Sequence, residues 1–357
     1  MQATSVNRVD TPAGVTRRET ADAAVAVAGR ESRLLLSVVF SFRNEEEVLP
    51  ELIRRLRGTL NPLDLDYELV FVNDASTDGS LEVLLKLHEE DPRIKIINMS
   101  RRFGVSPCVI AGLRHTRGDA VVYMDADLQD PPELIPQLLE KFREGHDVVH
   151  TTRTKRLGEG RFKMWLTKQA YKTINAVSDI DIPENTGDFK LLSRRAVNQL
   201  LRLGEYDPFM RGLVRWIGFK QAHVFYERDR RFAGETHFSL LRSINPIREF
   251  IRGLTSFSEW PLYFALIVGF IVSAGAFAYL VGIVITTVFF GMHNPGWPAL
   301  MVTLLFLGGT ILFTIGILGI YIGRIHQDLK RRPPYIVESK IGIQNEGFST
   351  DCERGRA

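Results

Sequence analysis

"AVVYMDADLQDPPELIPQLLEKFREGHDVVHTTR", residues 120–153, decides the fold. Its start, "AVVYMDAD", is a continuous apolar run, the pattern of a strand buried on both faces. "PPELIPQLLEKFREG" then places apolar residues at helical spacing, with proline in the first turn, where its missing N–H is no loss. "DVVHTTR" is a second buried strand. Toward the N-terminus the alternation repeats. "LLLSVVFSF", "YELVFVND" and "IKIINMS" read as strands. "EEEVLPELIRRLRGTL", "GSLEVLLKLHEE" and "SPCVIAGLRHT" follow them as helices. This alternation predicts an α/β domain over residues 34–235, with a mainly parallel sheet and right-handed crossovers.

Outside that domain the composition changes. Residues 1–33 are polar and Ala-rich without periodicity and read as a disordered tail. "AAVAVAG" is short and follows charged residues, so it makes a poor signal-peptide core. From Trp260 to Gly323 there is no Asp, Glu, Lys or Arg. Two apolar runs, 261–290 and 298–323, each exceed the roughly 20 residues needed to cross a bilayer. The loop between them, "GMHNPGWPA", is uncharged, whereas Arg324, Lys330, Arg331 and Arg332 follow the second run and Arg242, Arg248 and Arg252 precede the first. That asymmetry predicts a transmembrane hairpin over 261–323 in a bacterial inner membrane, with the loop outside and both termini cytoplasmic. Segment 236–260, with Leu240, Ile244, Ile247, Ile251 and Leu254 at helical spacing, reads as an interfacial amphipathic helix. Residues 324–357 read as a basic cytoplasmic tail.

The chain has 357 residues and a formal net charge of +3, which gives no signal for a nucleic-acid partner. Its two cysteines, Cys108 and Cys352, are too few for a disulfide framework and fit a reducing compartment.

In a parallel sheet, ligands collect at the carboxyl ends of the strands. Here those ends are acidic and polar: "SFRNEEE", "VNDASTDGS" and "MDADLQD". Acids crowded at a strand end repel one another unless a cation sits among them. Asp125 and Asp127 can present two carboxylates to one hard cation, with a nucleotide diphosphate completing the shell.

"VNDASTDGS", "DADLQDPPEL" and "TGDFKLLSR", in that order and ahead of two apolar spans, resemble family 2 glycosyltransferases acting on polyprenyl phosphates. The resemblance covers about residues 34–340. It implies a GT-A (Rossmann-like) fold and a divalent metal, Mg2+ or Mn2+. The implied donor is a nucleotide sugar, UDP-linked in preference to GDP-linked, and the acceptor a polyprenyl phosphate such as undecaprenyl phosphate. The lipid bilayer is then a partner, and a homo-oligomer is compatible with the reading.

By the same resemblance Asp125 and Asp127 match the family's metal motif, and Gln129 a further ligand beside it. Ser41, Phe42, Asn44 and Glu45 match the nucleoside-binding strand end, where Asp74 and Asp125 also contribute. Asp188, in "TGDFKLLSR", matches a carboxylate near the acceptor, and Arg231 an arginine that opens a loop near the phosphates. With Asp127, these two are the expected catalytic residues. Arg153 and Arg156 suit an acceptor phosphate, since a guanidinium matches phosphate oxygens in a fork.

Several positions depart from the family pattern. Ser41 replaces a usual proline; Asn73 and Ala75 replace Asp and Gly; Arg102 and Val105 alter the loop after the third strand. His237 stands for a lysine, and an imidazole, unlike an ammonium, need not carry charge at pH 7, which weighs against phosphate clamping there. Two other classes share these features: a non-catalytic scaffold or flippase component, and a processive polysaccharide synthase. The intact metal motif opposes the first. Gly212, where polymerases carry Gln ahead of the Arg-Trp pair, opposes the second.

Overall fold

The computed structural model describes residues 33–154, 186–227, 253–290 and 296–343, together with 169 and 175. Arg156, Arg231, His237, nearly all of the N-terminal tail and most of the expected interfacial helix lie outside the described residues.

The sequence-derived alternation is observed. Strands β1 (Leu35–Phe42), β2 (Asp66–Asn73), β3 (Ile94–Met99), β4 (Ala120–Asp125) and β5 (Val148–Arg153) alternate with helices α1 (Leu49–Leu60), α2 (Ser80–Glu90), α3 (Val105–Arg114) and α4 (Ile135–Arg143). After β5 come β6 (Thr186–Ser193), α5 (Arg194–Leu203), α6 (Met210–Trp216) and β7 (Gln221–Tyr226). Two long helices, α7 (Trp260–Phe290) and α8 (Trp297–Leu329), precede a last strand, β8 (Val337–Ile341).

The strands form one sheet in the order β7-β5-β6-β4-β1-β2-β3-β8. The β1–β2, β2–β3, β1–β4 and β5–β7 pairs are parallel. β6 runs antiparallel between β4 and β5, and β8 antiparallel along β3. The sheet is therefore mixed but mainly parallel.

Burial follows the period of two. Val38, Phe40, Leu69, Phe71 and Val122 face α1, α2 and α4 on one side. Val39, Val70, Val72, Val121 and Leu192 face α3, α5 and α6 on the other. Helix α3 lies so close to the sheet that a Cβ on Gly112 would overlap Val39. Sheet strands with both faces covered need continuous apolar runs, which is why β1, β2 and β4 were legible.

The two long helices differ in kind. Trp260–Ile283 and Leu300–Leu329 are long and apolar enough to cross a membrane, and almost nothing of their apolar stretches is buried within the protein. Side chains such as Phe270 and Leu312 stand bare of protein. A soluble core would cover them.

The segment read as a basic tail contains β8. Beyond α8 the chain returns to the sheet: Tyr335 is buried against the α3 side, and Asn98 donates to Ser339 Oγ at 2.9 Å. The α/β domain is therefore discontinuous in sequence, with its edge strand supplied from beyond the helical hairpin.

Candidate active site

The carboxyl ends of β1, β2, β4, β5 and β7 and the start of β6 share one edge of the sheet. Register fixes what meets there. Tyr123 pairs with Lys190 across β4 and β6, and Ser41 pairs with Asp125 across β1 and β4. Asp125 and Asp188 lie two residues beyond the Tyr123–Lys190 pair, on the same face and toward the same edge. The two carboxylates predicted for different roles thus adjoin.

Their electrostatics diverge. Burial works against the charge of Asp188, but Arg211 outweighs it and holds the carboxyl well below the usual range. The pair is a fork: Arg211 Nε donates to Oδ1 at 2.9 Å and Nη2 to Oδ2 at 2.6 Å. Among the described residues Asp125 has no such partner. Burial, then the charges of Asp188, Asp127 and Asp130, push it up to about 8. Beneath them lies Lys190, fully buried, with its ammonium lowered to about 8 by desolvation.

The "DADLQD" turn is strained. Leu128 takes a left-handed φ of 57° although its side chain is buried. Such conformations cost about 1–3 kcal/mol and persist only where surroundings impose them. The turn tucks Asp127 inward, where Oδ1 accepts the Gln129 backbone N–H at 3.1 Å. Asn44 and Ala75, in the loops after β1 and β2, are also left-handed, at 56° and 53°. Ala75 occupies one of the sequence departures, where glycine would carry no Cβ penalty.

Asp130 is fully buried and accepts from Tyr226, and Arg153 joins them. The arginine donates to Tyr226 Oη at 3.1 Å and reaches Asp130 at 3.5 Å. A Cβ on Gly187 would sit 3.0 Å from Arg153 Nη2, so the glycine of "TGD" makes room for the guanidinium.

The nucleoside-side expectations divide. Ser41 is 7% exposed, and its hydroxyl has no hydrogen-bond partner among the described residues. The Phe42 ring is committed to the core against Phe71. Asn44 binds Thr77 through its side chain, and the Glu45 backbone N–H reaches Ser80 Oγ at 2.9 Å, so both stitch neighbouring loops together. Asp74 accepts the backbone N–H groups of Phe103 and Gly104 at 2.6 and 3.0 Å, pinning the loop ahead of α3.

Sequence reasoning missed Arg211, Tyr226 and Lys190. Arg211 and Arg215 lie one turn apart in "MRGLVRW", a spacing that marks one helix face.

Among the described residues, no three His, Cys, Asp or Glu side chains converge as a ready-made cage for a metal. The donor set still fits a hard cation held partly by a ligand. It combines two carboxylates at one strand end with the Ser41 hydroxyl beside Asp125, a hydroxyl that has no partner among the described residues.

A model of glycosyl transferase family 2 matches residues 37–201. The uncharacterized glycosyltransferase YkcC of Bacillus subtilis is 42% identical over 88% of this chain and 97% of its own length. The bactoprenol glucosyl transferase of Shigella phage SfX is 39% identical over 85% of this chain and 99% of its own. Among solved structures, mannosyl-3-phosphoglycerate synthase from Rubrobacter xylanophilus superposes with a TM-score of 0.45 at 19% identity. That match covers 62% of this chain and 73% of that one.

Proposed function

The chain belongs to glycosyl transferase family 2, and from that premise we propose that it moves a sugar from a nucleotide-sugar donor to a polyprenyl phosphate at a membrane. The observation that carries this is the acidic edge around Asp125, Asp127 and Asp188, joined in one chain to a bare apolar hairpin. Near full-length similarity to proteins named bactoprenol glucosyl transferase supports the acceptor class.

Asp125, Asp127 and Gln129 would hold a divalent cation, Mg2+ or Mn2+. When bound, it offsets charge on the departing nucleotide phosphate. The remaining task belongs to the protein. The acceptor phosphate, with a second pKa near ~6, arrives largely as a dianion and needs little help from a base. Asp188, kept ionised by Arg211, orients the reactants rather than removing a proton. Arg153, with Arg156 and Arg231, offsets the repulsion between two anions held in line. One direct displacement at the anomeric carbon inverts its configuration. The hairpin holds the domain at the cytoplasmic face.

The test is a panel of radiolabelled nucleotide sugars, UDP- and GDP-linked, given to membranes with undecaprenyl phosphate. One donor should send label into the lipid phase, and Asp127→Ala should abolish that transfer while preserving the fold. No lipid-phase label from any donor would overturn the acceptor class. Near-normal turnover of Asp127→Ala with magnesium or manganese present would overturn the metal assignment.

A further inference from the structure

Helix α6 touches the active site with one residue and the membrane anchor with the next. Arg211 grips Asp188. Gly212 carries no side chain, and a Cβ there would overlap the ring of Phe257. That ring also packs 6.3 Å from Phe209 and against the core cluster beneath α6. Phe257 belongs to a short strap, Thr255–Ser258, that runs from the end of a helical turn at 253–256 to Glu259, the residue ahead of α7.

The strap is clamped from its other side by α8. Arg324 donates to Thr255 Oγ1 at 2.6 Å and to Ser256 Oγ at 2.8 Å, and Tyr321 Oη donates to the Ser258 carbonyl at 2.7 Å. The Tyr206 backbone N–H, just ahead of α6, reaches Asp328 Oδ1 at 3.4 Å. The hairpin therefore does not hang from a free linker. It is bolted to the strap, and the strap is seated on α6.

We infer that Phe257 is a positioning residue for the transfer reaction: seated on Gly212, it sets α6, and with it the Arg211–Asp188 pair, relative to the membrane hairpin that Arg324 clamps. The inference rests on the proposed transfer to a polyprenyl phosphate. Its physical basis is the depth of the acceptor. A phosphate on a lipid lies at a height fixed by the bilayer, whereas the donor comes from solution. The carboxylate that meets the acceptor must be held at that height, and misplacement by about 1 Å can cost on the order of 10²-fold in rate. Helix α6 is stiff, so the seat of Gly212 and the reach of Arg211 move together. Phe257 reaches the site through α6 and Asp188, whereas Ser41, Asp125 and the Asp127 turn belong to β1 and the end of β4, so the donor KM is the control for this contact.

The test uses the full-length protein in nanodiscs with undecaprenyl phosphate and the donor that the panel selects. Phe257→Ala and Gly212→Ala should each lower kcat for lipid transfer by about 10- to 100-fold. The donor KM should stay within about twofold in both, a split that general destabilisation would not produce. The two changes should not add. Once the ring is gone, Gly212→Ala should cost nothing further, because its clash partner has been removed. Phe257→Tyr, which keeps the ring, should restore kcat. If Phe257→Ala does not fold, Phe257→Leu takes its place, judged at a melting temperature near that of the parent. Wild-type kcat in the Phe257 variants, losses that simply add, or a donor KM that rises with the fall in kcat would each overturn the inference. A parent protein that transfers no sugar to the lipid fails the functional reading instead.

Discussion

Asp188 and Asp125 adjoin on one face, yet they are held at opposite ends of the carboxylate range. Each end makes a prediction. Asp188 is ionised so firmly by Arg211 that it is a weak base at neutral pH. Asp188→Asn should therefore leave a partial rate, and that rate should follow ionisation of the acceptor phosphate near pH ~6. Total loss, unrescued at high pH and with donor binding intact, would restore Asp188 as an obligatory base. Asp125 makes the converse case. Its unfolded pKa lies near ~3.9, and its folded value without a cation is about 8. Between those limits the folded state holds the extra proton, so metal-free stability should fall as pH rises, by at most ~1.4 kcal/mol per unit. Asp188 has the opposite sign, but its contribution is lost only below about pH 4. Buried His150, lowered to about 3, also opposes Asp125, but only up to the ordinary imidazole value near ~6.5, so the Asp125 slope is read above pH 7. Saturating Mg2+ or Mn2+ should flatten the slope, since a bound cation replaces the proton. Melting curves across pH 7–8, with chelator and with cation, decide it. An unchanged slope would remove Asp125 from the ligand set. At this scale the sequence showed the carboxylates, because their motif is contiguous. It hid Arg211 and Tyr226, which reach Asp188 and Asp130 across 23 and 96 residues.

Elements were legible where both faces of a strand are apolar. β1, β2 and β4 are such strands, and their runs match the observed bounds closely. β6 escaped notice because one of its faces lines the site. "TGDFKLLS" interleaves Asp188 and Lys190 with Phe189 and Leu191, so its function breaks its apolar run. β7 is masked in the same way by His223, which stacks on buried His150 at 5.1 Å. β8 is short and charged, as an edge strand that resists further pairing tends to be. It follows an apolar hairpin, where a tail was the natural reading. Tyr335 is the anchor that holds β8 in place, 9% exposed and inside the α3-side core. Tyr335→Ala should destabilise the domain by about 3 kcal/mol, the range for emptying a buried aromatic site. Denaturant melts in detergent read this directly. An unchanged midpoint would mean that β8 contributes nothing to the domain in solution.

At the scale of the molecule, the strap and β8 bind the ends of the hairpin to one domain. The strap seats the start of α7 on α6, and β8 returns the chain after α8 to β3. A helix of 31 residues is roughly 46 Å long, more than a hydrocarbon core of about 30 Å requires. Both helices are therefore long enough to span with length to spare, and in a spanning hairpin both attached ends lie on the side that holds the domain. The charge pattern then predicts the side. Arg324, Lys330, Arg331 and Arg332 cluster at the domain end of α8, whereas the 291–297 connection carries no Lys or Arg. Tags at either terminus should be cytoplasmic, and a cysteine introduced at 291–297 should react with an impermeant maleimide in intact cells. The background is favourable. Cys108 is fully buried and its thiol is pushed up by desolvation, so only Cys352 needs replacement by serine. Labelling of a cysteine beside either terminus in intact cells, with 291–297 silent, would invert the topology. That result would also place the acidic edge on the face of the membrane where nucleotide sugars are absent, and the proposed transfer would fall with it.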